Sequence, residues 1–417
     1  MSKNHLNSLG SVAKVISGYA FKSADFIESG IPVVKIKNIR AGYLDLSNSD
    51  RVAKSHNQIA PKYHVRSGDI LISLTGSHMN QPNSVVGRVA LCRENTPHSL
   101  LNQRAGKIII HNSEKTSVNY LFYYLSRSET SSAIALMANG AASQANVSPT
   151  QIESLLIPLP ALAEQKRIAG ILSAYDDLIE NNLRRIKILE EMAQSLYREW
   201  FVHFRFPNHE TTEFHPFPLG LIPKGWEVKK LDEVCNLTMG QSPKSEFYNN
   251  NEEGLPFHQG VTNFGQHFPT TKQYATTVTR KAVEGDILFS VRAPVGRINV
   301  ASCELILGRG LSAIQHKQGF QHFLLFQLKH LFINEDSMGN GAIFKSVTKK
   351  DMQEIKLICP PNSLLEHANS ILGDMFNQIY TLSKSNQNLR KTRDLLLPKL
   401  LTPSTTKAPK SELKSNY

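Results

Sequence analysis

The sequence predicts an α+β protein in which two strand-rich globular units, repeated in tandem, are joined by two long helices that pair as an antiparallel coiled coil. Two observations predict this architecture. Short motifs recur in the same order roughly 200 residues apart, and each copy ends in a stretch whose apolar residues change to a helical spacing. A chain repeated in this way can fold with pseudo-two-fold symmetry.

The repeat consists of short motifs. Residues 67–73, Ser-Gly-Asp-Ile-Leu-Ile-Ser, return as residues 284–290, Glu-Gly-Asp-Ile-Leu-Phe-Ser. The Gly-Asp pairs within them are expected to be turns. The other recurring pairs are Val86-Gly87-Arg88 with Val295-Gly296-Arg297, Asn139-Gly140 with Asn340-Gly341, Val147-Ser148 with Val347-Thr348, residues 157–160 with 357–360, and Ile171-Leu172 with Ile371-Leu372.

Within each copy, β-type runs alternate with Gly, Asn and Pro, which predicts short strands joined by turns. The clearest strands of the first copy are residues 31–36, 69–72 and 106–110. A short helix is expected over 118–125, with its counterpart over 321–331. The resulting division of the chain is a first globular unit over 1–160, a first long helix over 161–204, a linker over 205–225, a second unit over 226–361, a second long helix over 362–401 and a disordered tail over 402–417.

Apolar residues in the two long helices follow alternating steps of four and three, the spacing of a coiled-coil seam. The first series is Ile168, Leu172, Tyr175, Ile179, Ile186, Leu189, Ala193 and Leu196, with Asn182 in its one gap. The second is Ala368, Leu372, Met375, Ile379, Leu382, Leu389 and Leu396, interrupted by Asn386 and Arg393. Two amphipathic helices, each packed on its own unit, are the alternative; four heptads in both copies favour an intramolecular coiled coil.

Antiparallel pairing of the helices would place the globular units at opposite ends of a rod. The seam from Ile168 to Leu196 would be roughly 43 Å long, at about 1.5 Å per residue. At about 3.4 Å per base pair of DNA, this length suits two recognition patches separated by on the order of ten base pairs. The helices would then act as a ruler.

The charge favours an acidic polymer as partner. The net charge is +12 and the pI about 9.4. Residues 1–160 hold sixteen Lys and Arg against nine Asp and Glu, whereas residues 164–201 hold six against seven. The positive field is therefore expected on the globular part.

The dispersed Cys92, Cys235, Cys303 and Cys359 predict buried thiols without disulfides or zinc. No apolar run could span a bilayer, so we expect a cytoplasmic protein without a signal peptide.

Several segments together resemble the specificity subunit of Type I restriction–modification systems. The globular–helix–globular–helix order is shared, as are Gly68-Asp69-Ile70-Leu71 with Val86-Gly87-Arg88. So are residues 196–201, Leu-Tyr-Arg-Glu-Trp-Phe; residues 219–226, Leu-Gly-Leu-Ile-Pro-Lys-Gly-Trp; and Gly240-Gln241-Ser242-Pro243 followed by Gly254-Leu255-Pro256-Phe257. The resemblance covers nearly the whole chain except the tail, and its specificity lies in the ordered, repeated set.

The resemblance implies two target recognition domains, each reading one half of a bipartite double-stranded DNA site through the major groove. The paired helices would bind two modification subunits that methylate adenine, and restriction subunits would add ATP-driven translocation and cleavage. S-adenosylmethionine, ATP and Mg would belong to those partners. This subunit would hold no cofactor, catalyse nothing and contact no membrane.

The sequence lacks enzyme motifs, in agreement with a binding subunit. It has no G-x-x-x-x-G-K-[ST] phosphate loop and no His/Cys/Asp cluster with metal-ligand spacing. A stand-alone DNA enzyme, a protein-interaction scaffold and a regulatory DNA-binding protein that acts without modification subunits remain open alternatives.

Candidate DNA contacts are amide and basic side chains in the repeated loops, because Arg suits guanine or phosphate, and Asn and Gln suit adenine. For the dense cluster Lys35, Lys37, Asn38 and Arg40, phosphate positioning is favoured over base reading. The other candidates of the first unit are Arg88, Asn102, Gln103, Arg104 and Gln144. Those of the second are Gln241, Gln259, Arg292, Arg297, Arg309 and Lys345. For Arg88 and Arg297, a structural ion pair is an equally favoured alternative.

Overall fold

The computed structural model describes residues 6–76, 86–138, 145–217, 220–333 and 346–401. The chain divides into two compact units: unit 1 comprises residues 1–181 and 386–417, and unit 2 comprises residues 182–385. Both divisions fall inside the long helices. Each unit therefore contains one strand-rich domain and one half of each helix.

The domain of unit 1 alternates short strands with turns, as the Gly and Asn punctuation predicts. Its strands are Leu6–Ser8, Ala13–Ser17, Phe26–Ile27, Ile31–Val34, Gly42–Tyr43, Asp50–Val52, His64–Val65, Ile70–Ser73, Thr75–Gly76, Val89–Leu91, Ser99–Leu101, Ala105–Ile110, Ala145–Asn146 and Leu156–Pro158. Its helices are Val118–Leu125, Ser128–Leu136 and Pro149–Glu153, with 3-10 turns at Leu9–Ser11, Ser23–Asp25, Ile36–Asn38, Lys54–Gln58 and Pro61–Tyr63.

The domain of unit 2 repeats this order. Its strands are Glu227–Lys230, Cys235–Met239, Tyr248–Asn249, Leu255–His258, Tyr274–Ala275, Lys281–Ala282, Ile287–Ser290, Ile298–Val300, Leu305–Leu307, Leu311–His316 and Lys356–Cys359. Its helices are Leu231–Val234, Gln321–Leu331 and Lys349–Gln353, with 3-10 turns at Ser245–Phe247 and Val261–Asn263. In the linker, a 3-10 turn covers His209–Thr211, and strands Phe214–Phe217 and Gly220–Pro223 pair antiparallel.

The motif that repeats most closely in the sequence lies at the centre of one sheet in each domain. In unit 1, Ile70–Ser73 pairs antiparallel with Ala105–Ile110 on one side and Val89–Leu91 on the other. In unit 2, Ile287–Ser290 has the same two neighbours in corresponding positions. The preceding Gly68 and Gly285 have φ of 86° and 88°, so these positions are turns that favour glycine, as predicted.

The central strand is buried at every position, and its first three residues are apolar, because both of its faces are covered. Ile70 and Ile72 join the cluster formed with the helices, whereas Leu71 points into a second cluster between the sheets. In unit 2, Ile287 and Phe289 face the helices in the same way. A strand buried on both faces shows a continuous apolar run instead of alternation.

The second sheet of each domain contains a parallel pair of strands. Ile31–Val34 runs parallel to Ser99–Leu101 in unit 1, and Leu255–His258 runs parallel to Leu305–Leu307 in unit 2. Parallel strands bring their carboxyl ends to the same edge. The loops that follow these strands are therefore neighbours in both domains.

The long helices are Leu162–Tyr197, continued by a π-type turn at Arg198–Val202, and Asn362–Leu401. In unit 1, two polar contacts between the helices show that they pair antiparallel. The Asn386 side-chain amide donates to the Ile179 carbonyl oxygen at 3.5 Å, and Arg393 pairs with Asp176. These are the two residues that interrupt the predicted apolar seam, and each has its partner on the opposite helix.

Within unit 2, Ile186 packs against Ile379 and Leu382, and Ala193 joins a cluster with Leu372. These contacts run antiparallel, as predicted. The helix–domain alternative also holds in part, because Ile168, Leu172 and Leu401 belong to the core cluster of the unit 1 domain. The helices thus pair with each other and also complete the domain cores.

All four cysteines are free. Cys92 and Cys235 are buried, as expected, but Cys359 is only half-buried, and Cys303 is exposed because it lies in the turn between Ile298–Val300 and Leu305–Leu307. The predicted tail, residues 402–417, lies outside the described residues.

Candidate nucleic-acid interface

In unit 1 the ends of several strands meet at one edge of the two sheets. The backbone N–H of Tyr19 donates to the Leu101 carbonyl oxygen at 2.7 Å, and the backbone N–H of Gln103 donates to the Tyr19 carbonyl oxygen at 2.9 Å. The backbone N–H of Asn102 donates to the Val34 carbonyl oxygen at 3.0 Å. We call this edge the loop edge of unit 1; its segments are residues 18–22, 35–40, 74–76, 86–88 and 102–104.

Unit 2 builds the same edge and repeats two of these three backbone hydrogen bonds. The backbone N–H of Gln241 donates to the Leu307 carbonyl oxygen at 2.9 Å, and the backbone N–H of Gly308 donates to the His258 carbonyl oxygen at 2.8 Å. The loop edge of unit 2 comprises residues 240–244, 259–263, 291–293, 295–297 and 308–310. On this common frame the corresponding positions are Tyr19 and Gln241, Lys35 and Gln259, and Gln103 and Arg309.

The opposite edge of the unit 1 domain is fastened to the helices. Arg93, which follows the strand that begins at the loop edge, pairs with Asp176 at 3.1 Å, Asp177 at 3.2 Å and Glu180 at 3.6 Å. The Tyr123 hydroxyl donates to Asp176 at 2.7 Å. These contacts occupy the helix-facing edge and leave the loop edge available for a ligand.

The unit 2 domain is fastened in the same orientation. The Tyr380 hydroxyl on the second helix donates to Glu284 at 3.1 Å, just before the central strand begins. Lys329 pairs with Glu190 of the first helix at 3.1 Å. In this unit too, the loop edge is the one that faces away from the helices.

Three predicted contact residues of unit 1 lie together on one turn of the loop edge. Gln103 and Arg104 are exposed, and Asn102 is half-buried. The Arg104 amide donates to the Asn102 Oδ1 at 3.4 Å, which restrains that side chain. An amide and a guanidinium on adjacent residues offer the donors that suit adenine and guanine edges.

The basic cluster of unit 1 is partly neutralised by nearby carboxylates. Lys35 and Lys37 both pair with Asp50, at 2.9 and 3.1 Å, and Arg40 pairs with Asp45 at 3.4 Å. The Lys35 hydrogen bond is the main reason that the pKa of Asp50 lies below its usual value. Phosphate binding by these side chains would compete with the ion pairs.

Asn38, predicted as part of the same cluster, is only 2% exposed. Its amide nitrogen donates to the Asp45 carbonyl oxygen at 2.9 Å, and its Oδ1 accepts the Lys35 amide at 2.9 Å. The 3-10 turn Ile36–Asn38 directs this side chain inward, where it holds the loop together. In this conformation the Asn38 side chain does not reach the surface, so a contact with DNA is not available to it.

Arg88 is half-buried, and within the described ranges its guanidinium makes no hydrogen bond or ion pair. Burial lowers its pKa, and the positive charge of Arg40 lowers it further. Both interpretations of Arg88, a DNA contact and a structural ion pair, therefore stay predictions.

In unit 2, one hydroxyl joins two of the predicted residues. Ser242 Oγ donates to Gln259 Oε1 at 2.8 Å and accepts the Arg309 amide at 3.2 Å. Gln241, Gln259 and Arg309 are all exposed. The structure therefore brings together three residues from distant parts of the sequence.

The other two arginines of unit 2 lie on neighbouring segments of the loop edge. Arg292 and Arg297 are both exposed. Arg292 forms a β-bridge with Ser346, and the Arg297 amide donates to Ser290 Oγ at 2.9 Å. The predicted residues Gln144 and Lys345 lie outside the described residues.

Sequence reasoning missed two residues of the loop edges. Tyr19 is 38% exposed, and its ring packs edge-to-face on Phe21 and Tyr63. It occupies the position of Gln241, so aligning Gly18-Tyr19 with Gly240-Gln241 would have found it. Ser242 carries no signal of its own in the sequence, because its two hydrogen bonds are made to residues distant in the sequence.

Over the described part of the chain, no group of three or more His, Cys, Asp and Glu side chains could hold a metal ion. No helix there is long and apolar enough to cross a membrane.

Two copies of one domain, each with amide and guanidinium groups at the edge away from the helices, define a protein built to read nucleic acid at two places. A family model described as the Type I restriction modification DNA specificity domain matches residues 1–191 and again residues 223–390. The chain belongs to the family of Type I restriction–modification specificity subunits and carries two DNA specificity domains.

Individual proteins agree with this assignment. A putative Type I restriction enzyme specificity subunit of Methanocaldococcus jannaschii is 33% identical over 380 residues, covering 89% of this chain and 87% of the relative. A second specificity subunit of that organism is 27% identical, covering 68% of each chain. The crystal structure of the S subunit from M. genitalium has the same fold, with a TM-score of 0.61, 18% identity and 96% of both chains covered.

Proposed function

We propose that each domain of this specificity subunit reads one half of a bipartite DNA site, while the paired helices set the spacer between the halves. The observation that carries this proposal is the repeated loop edge. Backbone hydrogen bonds that the two edges share present different side chains: Tyr19, Lys35 and Gln103 in unit 1, and the corresponding Gln241, Gln259 and Arg309 in unit 2. A constant frame with variable donors and acceptors suits the recognition of two unlike half-sites.

The partners follow from membership in a multisubunit system. We assign to this chain two modification subunits, docked on the long helices, and restriction subunits that complete the nuclease. Adenine methylation would use S-adenosylmethionine, and translocation and cleavage would use ATP and Mg, all bound by the partner subunits. The residues of this chain would bind and orient DNA without entering the chemistry.

The proposal is tested by an adenine-methylation map of the source genome with and without this gene. We expect a bipartite motif with a fixed nonspecific spacer to be methylated only when the gene is present. If the motif persists after deletion of the gene, another protein reads it. If the genome carries no such motif under either condition, the modification reaction must be reconstituted with purified subunits, and a modification complex that methylates without sequence preference would contradict the proposal.

A further inference from the structure

We propose that Ser242 is a positioning residue that orients Gln259 for reading a base edge in the half-site of unit 2. This inference rests on the proposed function and adds to it a residue that need not contact DNA itself. It is carried by one hydroxyl group that holds two loops in fixed relation to each other.

The Ser242 hydroxyl uses both of its hydrogen-bonding capacities within the loop edge. It donates to Gln259 Oε1 at 2.8 Å and accepts the backbone N–H of Arg309 at 3.2 Å. A serine hydroxyl has a single hydrogen to donate, so its donation is committed to the Gln259 amide. The three residues come from separate loops, and the hydroxyl is the link between their polar groups.

The bond to Ser242 decides which way the Gln259 amide faces. Because Oε1 is turned toward Ser242, the two N–H donors of the amide are turned away from it, and the side chain is exposed. These donors suit an acceptor on a base edge, such as N7 of a purine, O6 of guanine or O4 of thymine. Without the hydroxyl, the amide could rotate and offer donor or acceptor indiscriminately.

The backbone beneath this cluster is held rigidly by close approaches at glycine. A Cβ atom on Gly240 would lie 2.1 Å from the Gly308 carbonyl oxygen, and one on Gly308 would lie 2.5 Å from Cα of Gln259. The Thr279 hydroxyl also donates to the Gln241 carbonyl oxygen. A side chain oriented on such a frame can present its donors reproducibly.

The loop edge of unit 1 has no hydroxyl group in the place of the Ser242 hydroxyl. The residue after Tyr19 is Ala20, so no hydroxyl stands at the position of Ser242. The position of Gln259 is taken by Lys35, which is held instead by Asp50 at 2.9 Å. The positioning role is therefore specific to unit 2, and its loss should leave the other half-site unaffected.

The test uses the full chain, assembled with its modification subunits, in competition binding to duplexes that carry every single base-pair substitution of the bipartite target. For Ser242→Ala we expect about a tenfold loss of discrimination at one base pair of the unit 2 half-site. Ser242→Thr, which keeps the hydroxyl, should restore discrimination. In a Gln259→Ala background, Ser242→Ala should have no further effect, because the hydroxyl acts through that amide.

Ser302→Ala, on the helix-facing side of the same domain, is the matched control and should leave the whole profile unchanged. The proposal is overturned if Ser242→Ala keeps the wild-type profile, or if it weakens binding equally at all positions along with the thermal stability. An additive effect in the Gln259→Ala background would also overturn it. Failure of the proposed function is distinguishable, because the wild-type complex would then show no sequence preference at all.

Discussion

The loop edges of the two units share a backbone and differ in how their side chains are restrained. In unit 1, basic side chains are held by carboxylates, as Lys35 is by Asp50. In unit 2, the equivalent Gln259 is held by a neutral hydroxyl. The frame is therefore the repeated element of this protein, whereas the chemistry at its surface is set separately in each copy.

A second difference lies deeper in the two domains. In unit 1, Lys107 is nearly buried, donates to the His64 carbonyl oxygen at 2.7 Å and pairs with Asp69 at 3.4 Å. Ala313 takes the place of Lys107 in unit 2, as its pairing with the central strand shows. Burial consequently raises the pKa of Asp286, the counterpart of Asp69. The same turn tolerates both arrangements because its backbone bond to the carboxylate is kept.

The largest effect is expected at the helix-facing edge of unit 1. Asp176 is 6% exposed and is bonded to Arg93, Arg393 and Tyr123. Asp176→Ala leaves two arginines without their shared partner, so we expect a loss of about 3–5 kcal/mol in the free energy of unfolding of unit 1. Hydrogen exchange resolved along the chain should show faster exchange in unit 1 while unit 2 keeps its protection.

The control is Asp177→Ala, which removes a carboxylate that shares Arg93 but is 70% exposed. It should cost less than about 1 kcal/mol. If both variants lost the same free energy of unfolding, the burial of Asp176 would not explain its contribution to stability.

The next effect concerns equivalent positions on the two loop edges, Gln103 and Arg309. Replacing either by Ala should relax discrimination by about 1–3 kcal/mol at one base pair, in a different half-site for each variant. Binding to singly substituted duplexes measures this. If both variants changed the same half-site, the assignment of one domain to each half would be wrong.

Neutralising the equivalent carboxylates Asp69 and Asp286 is expected to change the stability of the protein in opposite directions. Asp69→Asn removes the charge partner of Lys107 and should cost about 1–3 kcal/mol of stability. Asp286 binds its proton more tightly in the folded than in the unfolded protein, so its contribution to stability is lost as pH rises through its raised pKa. Asp286→Asn should therefore become increasingly stabilising relative to wild type as the pH rises above about 4, the ordinary pKa of Asp, and through the raised pKa of Asp286.

Urea unfolding at several pH values measures both variants. In Asp286→Asn, the side-chain oxygen can still accept the hydrogen bond from the Val283 backbone N–H, so the substitution tests the charge alone. If both variants changed the free energy of unfolding in the same direction at pH 7, the presence of Lys107 in unit 1 would not explain the difference between the two carboxylates.

The smallest effect is expected for the exposed basic residues of unit 1. Lys37→Ala should weaken binding two- to threefold on all sequences and reduce the slope of log affinity against log salt by about one. The effect is limited because Lys37 already pairs with Asp50. Lys399→Ala, at the end of the second helix, should leave the slope unchanged; a sequence-dependent loss for Lys37→Ala would indicate base reading.

The sequence predicts the frame well and its surface only partly. The central strands were predictable because three consecutive apolar residues follow a Gly-Asp turn in both copies, and the seam because its spacing persists over four heptads. The burial of Asn38 was not predictable, because a polar residue after a strand is usually exposed and here a 3-10 turn directs it inward. Ser242 was missed because its partners Gln259 and Arg309 meet it only in the folded chain.

The most direct test of the central claim, that each unit reads its own half-site on a shared frame, is an adenine-methylation map of cells in which residues 9–160 have been exchanged for the equivalent domain of another specificity subunit. The account predicts that one half of the methylated motif changes, while the other half and the spacer stay the same. A change in both halves would show that the domains do not read DNA independently, and the account would be contradicted.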